Sequence, residues 1–181
     1  MGTGMDTHTR ILLHTCCGPC ATVATERLLE EVGHDVLMFF SNSNIFPESE
    51  YEKRLEHARR LAEIMGLTLE TDVYDHQSWL HHIQGLEEEP EGGRRCARCF
   101  SFNFGRAALA AEKYDYPSFT TSLTVSRYKS SPQIFEQGKA FSRFVSMDFK
   151  KDGGYARSRE LSRLFGLYMQ NYCGCEFSRR A

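Results

Sequence analysis

The sequence predicts an α/β fold in which a doubly wound parallel sheet of about five strands is covered by helices on both faces. Short apolar segments alternate along the chain with longer segments of helical periodicity, an order typical of parallel sheets. Two of the apolar segments, Arg10–His14 and residues 35–42, are almost uninterrupted, which is typical of strands buried on both faces. With 181 residues and 41% hydrophobic content, the chain can form a domain with a substantial core.

The remaining elements follow in the same alternating order. A first helix is predicted after Gly18 and Pro19, and a second begins at Pro47 and ends at Gly66. The last helix is expected to carry on one face the residues Leu161, Leu164, Phe165, Tyr168 and Met169. Further strands are predicted at residues 67–74, 118–122 and 143–149, a loop at residues 87–95, and helices around Trp79, at residues 98–113, around Ile134 and at residues 156–171.

The ends and the composition of the chain predict its organisation and its location. Residues 1–9 are expected to be a mobile tail and residues 10–181 a single α/β domain. The N-terminus has no apolar core of a signal peptide, and no segment approaches the ~18 apolar residues of a membrane span, so we expect a cytoplasmic protein without a membrane partner. A net charge of −2 argues against a globally basic nucleic-acid binder but permits a local basic patch.

Seven cysteines, confined to three short stretches, are the main chemical signal. The stretches contain Cys16, Cys17 and Cys20 after the first strand, Cys96 and Cys99 near a helix start, and Cys173 and Cys175 near the C-terminus. In a cytoplasmic protein such clusters indicate metal binding or redox chemistry rather than structural disulfides. Their spacing is compatible with zinc and with a [4Fe–4S] cluster alike.

Six stretches along nearly the whole chain form a specific set when taken together. They are "LLHTCCGPC", "FFSNSNIFPESEYEKRL", "EEPEGGRRCARCF", "FTTSLTVSRYKS", "DFKK" and "YMQNYCGCEFS". In their order and content the chain resembles the QueH-type epoxyqueuosine reductases. Two small departures are the run Asn42-Ser43-Asn44, where the family pattern has Asn-Pro-Asn, and Lys150, where the pattern favours Arg. Neither departure touches a cysteine.

The resemblance implies a reaction, a fold and cofactors. The expected substrate is epoxyqueuosine at the wobble position of a tRNA, and the expected reaction is the two-electron reductive removal of its epoxide oxygen to give queuosine. The family does this without cobalamin, using a [4Fe–4S] cluster, a nearby second iron and an external electron donor. Its catalytic domain is Rossmann-like, of the HUP type related to the adenine-nucleotide α-hydrolases, which include tRNA-thiolating enzymes.

The resemblance also distributes roles among the residues. Cys16, Cys17, Cys96 and Cys99 are the expected cluster ligands, and Cys20 is the expected ligand of the second iron, with possible sharing of Cys16 or Cys17. From the residues themselves, we expect Cys173 and Cys175 either to form a redox pair that relays electrons or simply to line the site. The candidate proton donors are Tyr128, Lys129 and Asp148.

Binding of tRNA requires phosphate contacts and, for an unpaired base, stacking on aromatic side chains. Phe100, Phe102 and Tyr128 are candidate platforms for stacking, although packing in the core explains each of them as well. The arginines beside Cys96 and Cys99 can hold a phosphate or offset the charge of a thiolate-bound cluster. The candidate phosphate contacts are Arg94, Arg95, Arg98, Arg127, Lys129, Lys150, Lys151, Arg179 and Arg180.

Three alternative functions remain open on the sequence. A zinc-stabilised binding module without catalysis would be colourless and would contain no iron. A tRNA-thiolating enzyme on the same fold needs a phosphate loop after the first strand, where this chain has "CCGPC" instead. A thiol–disulfide oxidoreductase using Cys96 and Cys99 would remain active after the removal of iron.

Overall fold

The computed structural model describes residues 10–32 and 35–178 and has the predicted alternation of strands and helices. The predicted tail, Arg179 and Arg180 lie outside the described residues. The described residues contain four strands: β1 (Arg10–His14), β2 (Asp35–Phe40), β3 (Thr68–Thr71) and β4 (Ser118–Thr121). The same part of the chain contains six helices, α1 (Gly18–Val32), α2 (Glu48–Met65), α3 (His76–His82), α4 (Arg94–Lys113), α5 (Ser131–Gly138) and α6 (Gly154–Leu164), with short 3-10 turns at Ser122–Val125 and Glu176–Ser178.

The sheet is parallel, and its strand order is β3-β2-β1-β4. In the centre of the sheet, Leu12 of β1 lies opposite Leu37 of β2 and Phe119 of β4. The chain first winds from β1 to β3 on one side and then returns to place β4 on the other side of β1. The carboxyl ends of β1 and β4 therefore form the switch point of the sheet, where α/β proteins bind their ligands.

Each face of the sheet packs against a separate hydrophobic core, as the uninterrupted apolar strands predict. Ile11 and Leu13 contact a core shared with α1 and α2, whereas Leu12 faces a core built on Phe100 and Phe104 of α4. Successive residues of β1 thus point to opposite faces, and both faces are covered. This arrangement confirms the predicted doubly wound α/β class.

The fifth predicted strand, at residues 143–149, is reduced to a single parallel bridge between Phe144 and Phe119. Beyond this bridge, the backbone carbonyls of the segment accept hydrogen bonds from threonine side chains instead of from the backbone of β4. The hydroxyl of Thr120 donates to the carbonyl of Val145 (2.8 Å), and that of Thr124 donates to the carbonyl of Met147 (2.9 Å). The segment therefore follows the edge of β4 without forming a regular strand.

Two helix boundaries differ from the prediction. Helix α4 begins at Arg94 rather than at Arg98, so its first turn includes Cys96. The last helix ends at Leu164 instead of continuing to residue 171, because Gly166 adopts a left-handed conformation (φ 62°). Leu164, on the predicted apolar face of this helix, is 73% exposed. None of the helices in residues 10–32 and 35–178 is both long and apolar enough to cross a membrane.

Candidate metal centre

Three thiols converge where β1 ends and α1 begins. The sulfur atoms of Cys16, Cys17 and Cys20 all lie within 4.8 Å of one another, and those of Cys16 and Cys17 are 3.9 Å apart. The sulfur of Cys17 accepts a hydrogen bond from the backbone N–H of Cys20 (3.4 Å), so it occupies the N-terminal end of the helix. Backbone N–H groups and the helix dipole favour a thiolate at this position.

Two neighbouring residues, Gly18 and Ser122, hold the cluster of three thiols in place. Gly18 allows α1 to approach α2 closely, since a Cβ atom at this position would lie 2.8 Å from the carbonyl oxygen of His57. At the switch point, the hydroxyl of Ser122 accepts from the backbone N–H of Cys16 (3.0 Å) and donates to its sulfur (3.2 Å). The short distances between the three sulfurs therefore depend on the close packing of α1 against α2 at Gly18 and on the hydrogen bonds of Ser122, which follows β4.

The ionisation of these thiols indicates what the group can hold. The hydrogen bond from Cys16 and the N–H of Cys20 lower the pKa of Cys17. The hydrogen bond to Cys17 raises the pKa of Cys16 to about 12, and contacts with Cys16 and Cys17 raise the pKa of Cys20. One thiolate therefore forms readily, and deprotonation of all three requires a cation. This donor set fits a metal ion or an iron–sulfur group.

The second pair of cysteines stands on the first turns of α4. Cys96 and Cys99 are three residues apart and so share one face of the helix. The sulfur of Cys96 accepts from the backbone N–H of Gly92 (3.2 Å), and the sulfur of Cys99 is 4.0 Å from the side-chain nitrogen of Asn103. Burial raises the pKa of Cys99 to about 12. Cys96 and Cys99 lie outside the compact cluster that Cys16, Cys17 and Cys20 form.

The third pair lies on the extended segment that follows α6. Cys173 and Cys175 are free thiols in this structure. The hydroxyl of Ser178 donates to the sulfur of Cys173 (3.3 Å), and a hydrogen bond from Cys175 lowers the pKa of Cys173. Arg54 of α2 anchors the segment by donating to the carbonyls of Tyr172 (3.1 Å) and Cys173 (2.9 Å).

Lys129 links the three groups electrostatically. Burial disfavours its charge, but the neighbouring sulfurs outweigh this effect and raise the pKa of Lys129. Those sulfurs belong to all three stretches: Cys173, Cys16, Cys20 and Cys99. The ammonium group of Lys129 is therefore a common counter-charge for thiolates that are far apart in the sequence.

A cavity of about 1350 Å³ opens at the carboxyl end of the sheet. Its walls include six of the seven cysteines, together with the predicted residues Phe100, Arg95, Arg127, Tyr128 and Lys129. Asp148 and Phe102 do not line it. The carboxylate of Asp148 accepts a hydrogen bond from the backbone N–H of Lys150 (3.4 Å).

The predicted basic residues have different environments. Arg94 is exposed and pairs with Glu89 (2.6 Å), whereas Arg95 is 2% exposed and donates to the carbonyls of Glu87 and Glu89. Arg95 therefore holds the acidic loop in place rather than facing solvent. The other predicted cations contact nearby groups: Arg98 the carbonyl of His82, Arg127 the hydroxyl of Tyr128, Lys150 the carbonyl of Lys129, and Lys151, through its own carbonyl, Arg27.

Comparison with known proteins assigns the chain to a family. The family described as epoxyqueuosine reductase QueH matches residues 11–181. The chain belongs to the QueH family. This confirms the resemblance found in the sequence.

Proteins named epoxyqueuosine reductase QueH resemble the chain over most of its length. One from Haemophilus influenzae is 38% identical over 181 residues, covering 97% of this chain and 74% of the relative. One from Acinetobacter baylyi is 39% identical over 181 residues, covering 97% and 83%. One from Thermotoga maritima is 36% identical over 178 residues, covering 93% and 89%.

Three residues of this QueH-family chain have functional positions that the sequence analysis did not single out. Arg159 of α6 lines the cavity, and Gln170 contacts Cys17. Arg54 is 2% exposed in the middle of the apolar face of α2. The position of Arg54 within the apolar pattern of α2 could have indicated a buried, paired arginine, since arginine is seldom buried without partners. Arg159 and Gln170 carried no such signal.

Proposed function

We propose that this chain is an epoxyqueuosine reductase that acts on epoxyqueuosine in tRNA through an iron–sulfur group held at the carboxyl end of its sheet. The observation that carries the proposal is the group of three convergent thiols at the switch point. Membership of the QueH family gives this group its reaction, and four further cysteines around the same region extend it.

The reaction balances with two electrons and two protons. Both C–O bonds of the epoxide break, a carbon–carbon double bond forms, and the oxygen leaves as water. An external donor supplies the electrons. In this proposal Cys16, Cys17, Cys96 and Cys99 hold a [4Fe–4S] cluster, Cys20 contributes to a second iron, and cobalamin takes no part. When bound, the group supplies electrons one at a time and a Lewis-acidic iron for the epoxide oxygen.

Lys129 is the residue that we assign as the proton donor. Its ammonium group lies among the thiols of all three stretches and within the wall of the cavity. Tyr128 also lines the cavity, but its side chain is 71% exposed and its hydroxyl accepts from Arg127 (2.7 Å). Lys129 therefore protonates the departing oxygen, while Tyr128 at the mouth contacts the nucleic acid. Asp148 is the weakest candidate because it does not line the cavity.

The mouth of the cavity offers a surface for an RNA loop. The guanidinium of Arg127 lies 4.9 Å from the ring centre of Tyr128 and 5.2 Å from that of Tyr155. Arg159 lines the same wall, and no ion pair between described residues involves it. Tyr128 is exposed and Tyr155 is half-buried, and a cation beside such rings is suited to the phosphates and unstacked bases of a single-stranded loop.

One rival reading, ATP-dependent thiolation, conflicts with the environment of α1. Enzymes that bind nucleotide on such a fold use the helix N-terminus after the first strand to hold phosphate. Here the sulfur of Cys17 accepts the N–H of Cys20 at that position. The thiols therefore occupy the place that a phosphate would need.

The proposal is tested by anaerobic purification, metal and sulfide analysis, and an assay with tRNA that contains epoxyqueuosine. We expect about four sulfides and four or five irons per chain, as a [4Fe–4S] cluster with a further iron requires. With a strong reductant, the tRNA should lose one oxygen atom from the modified base, as measured by mass spectrometry of its nucleosides. A colourless protein that contains zinc and no sulfide, even after reconstitution, would instead support the binding module.

The role of Lys129 is tested in the same assay. Lys129→Gln should keep its iron and lose roughly 10²-fold or more in kcat, the usual scale for a proton donor. Lys139→Gln, which changes an exposed lysine paired with Glu136, is the matched control and should leave kcat unchanged. Wild-type turnover in Lys129→Gln would assign the proton to another group.

A further inference from the structure

The sulfurs that we assign to the cluster share a feature beyond their position. Each accepts at least one hydrogen bond from a neighbouring group. Ser122 donates to Cys16 (3.2 Å), Gln170 to Cys17 (2.9 Å), the backbone N–H of Gly92 to Cys96 (3.2 Å) and Asn103 to Cys99 (4.0 Å). Gly92 and Asn103 are each four residues from the cysteine they contact, whereas Ser122 and Gln170 are 106 and 153 residues from theirs, so local helix and turn geometry accounts for only two of the four contacts.

Gln170 is the clearest member of this set. It lies on the extended segment after α6, and its side-chain nitrogen is 2.9 Å from the sulfur of Cys17. Its side-chain oxygen is buried and has no hydrogen-bond partner among the described residues. Leaving a buried amide oxygen unpaired costs about 1–3 kcal/mol. The fold therefore keeps the amide of Gln170 oriented with its NH₂ toward the sulfur of Cys17, although this leaves the amide oxygen without a hydrogen-bond partner among the described residues.

The orientation of the amide follows from the charge of its partner. A cysteine that binds a metal does so as a thiolate, and the proposed function assigns Cys17 to the cluster. A thiolate only accepts hydrogen bonds, so it faces the NH₂ end of Gln170 rather than the oxygen. The contact is therefore a charge-assisted N–H···S bond, and it becomes stronger as negative charge on the sulfur increases.

We propose that Gln170 is a positioning residue that raises the reduction potential of the cysteine-bound iron–sulfur group through its hydrogen bond to the sulfur of Cys17. The inference rests on the proposed function, which places that group on Cys17. Addition of one electron from the external donor increases the negative charge shared by the sulfurs. A donor to sulfur stabilises the reduced form more than the oxidised form, and the potential rises. Ser122 and Asn103 act on Cys16 and Cys99 in the same sense.

The test is a redox titration of anaerobically loaded protein, followed by electron paramagnetic resonance. Gln170→Leu removes the donor at similar volume, and Gln170→Glu keeps the shape but presents a carboxylate that cannot donate. Both variants should retain iron and sulfide at the wild-type ratio and show a lower midpoint potential. The control Gln84→Leu changes an exposed glutamine with no contact to sulfur and should titrate as wild type.

Each outcome has a definite meaning. Loaded Gln170→Leu and Gln170→Glu with the wild-type potential would overturn this inference and leave the proposed reductase untouched. Loss of iron from both variants while the fold is retained would replace the tuning role with a role in holding Cys17. A wild-type chain that takes up no iron would overturn the proposed function, and this inference would fall with it.

Discussion

His14, the residue at the end of β1, is completely buried beside the thiol group. Its Nε2 lies 3.0 Å from the carbonyl oxygen of Ser41, and its Nδ1 lies 2.9 Å from the hydroxyl of Thr121. A carbonyl only accepts, so the proton is on Nε2, and Nδ1 accepts from the Thr121 hydroxyl. The neutral ring therefore satisfies both of its partners, and burial lowers the pKa of His14 to about 4.

This residue predicts a dependence of stability on pH. The unfolded chain binds a proton at His14 near pH 6.5, whereas the folded chain does so only near pH 4. The free energy of unfolding should therefore fall as the pH is lowered from 6.5 towards 4, by up to roughly 3 kcal/mol from this group. Urea unfolding of the metal-free chain at several pH values measures the effect.

The matched variants for this prediction are His14→Gln and His81→Gln. His14→Gln lacks the ionisable ring, so its stability should approach that of the wild type as the pH falls. His81→Gln changes an exposed histidine and should follow the wild-type curve. Parallel curves for the wild type and His14→Gln would show that His14 does not titrate in this range.

At the scale of elements, helix α2 connects the sheet to the C-terminal cysteines. Its buried Arg54 pairs with Glu50 one turn earlier (2.7 Å), and the same guanidinium donates to two carbonyls of the segment that carries Cys173. The side chains of Arg54 and Glu50 are 2% and 12% exposed. Removal of the arginine would leave a largely buried carboxylate and two backbone carbonyls without these partners.

Arg54→Ala should therefore destabilise the fold by about 3 kcal/mol, the usual cost of breaking a buried ion pair from one side. It should also increase the rate at which a thiol reagent modifies Cys173 and Cys175 in the metal-free protein. Arg59→Ala on the exposed side of the same helix is the control, with an expected change within about 0.5 kcal/mol. Equal stability of the two variants would contradict the anchoring role.

At the scale of the whole molecule, the charge is unevenly distributed. The chain carries a net charge of −2, yet Arg127, Lys129 and Arg159 gather at the wall of the large cavity. Such a local field attracts a polyanion to the mouth of the site even though the protein is acidic overall.

Binding of tRNA should therefore depend on salt through these residues. Each of Arg127→Gln and Arg159→Gln should reduce the slope of log affinity against log salt concentration by about one. Fluorescence polarisation with a labelled anticodon stem–loop at several salt concentrations measures it. Arg163→Gln, on the same helix as Arg159 but outside the cavity wall, should leave the slope unchanged. Unaltered slopes in all three variants would rule against this surface.

The sequence predicted the elements that local patterns determine. The apolar strands at Arg10–His14 and around Phe39 form as expected, and so does the helix that ends at Gly66. Clustering of the thiols at the carboxyl end of β1 also followed from the strand order of α/β folds. These features depend on periodicity and on single glycine positions, both of which are visible in the chain.

Other features depend on contacts between residues that are distant in the sequence, and no local sequence pattern predicts them. The apolar spacing of α6 continues past Leu164, but Gly166 ends the helix and Leu167 donates its backbone N–H to the carbonyl of Ser162 (2.8 Å). Phe144 forms one bridge instead of a strand because threonine hydroxyls donate hydrogen bonds to the carbonyls of Val145 and Met147. The contact of Gln170 with Cys17 joins residues that are 153 positions apart.

The spread of the cysteines along the chain has a consequence for how the protein matures. The thiols facing one cavity come from the beginning, the middle and the end of the sequence, so the complete site does not exist until the last segment has been synthesised and docked on α2. Under the proposed function, iron and sulfide would therefore complete the site only in a chain whose C-terminal segment is already in place.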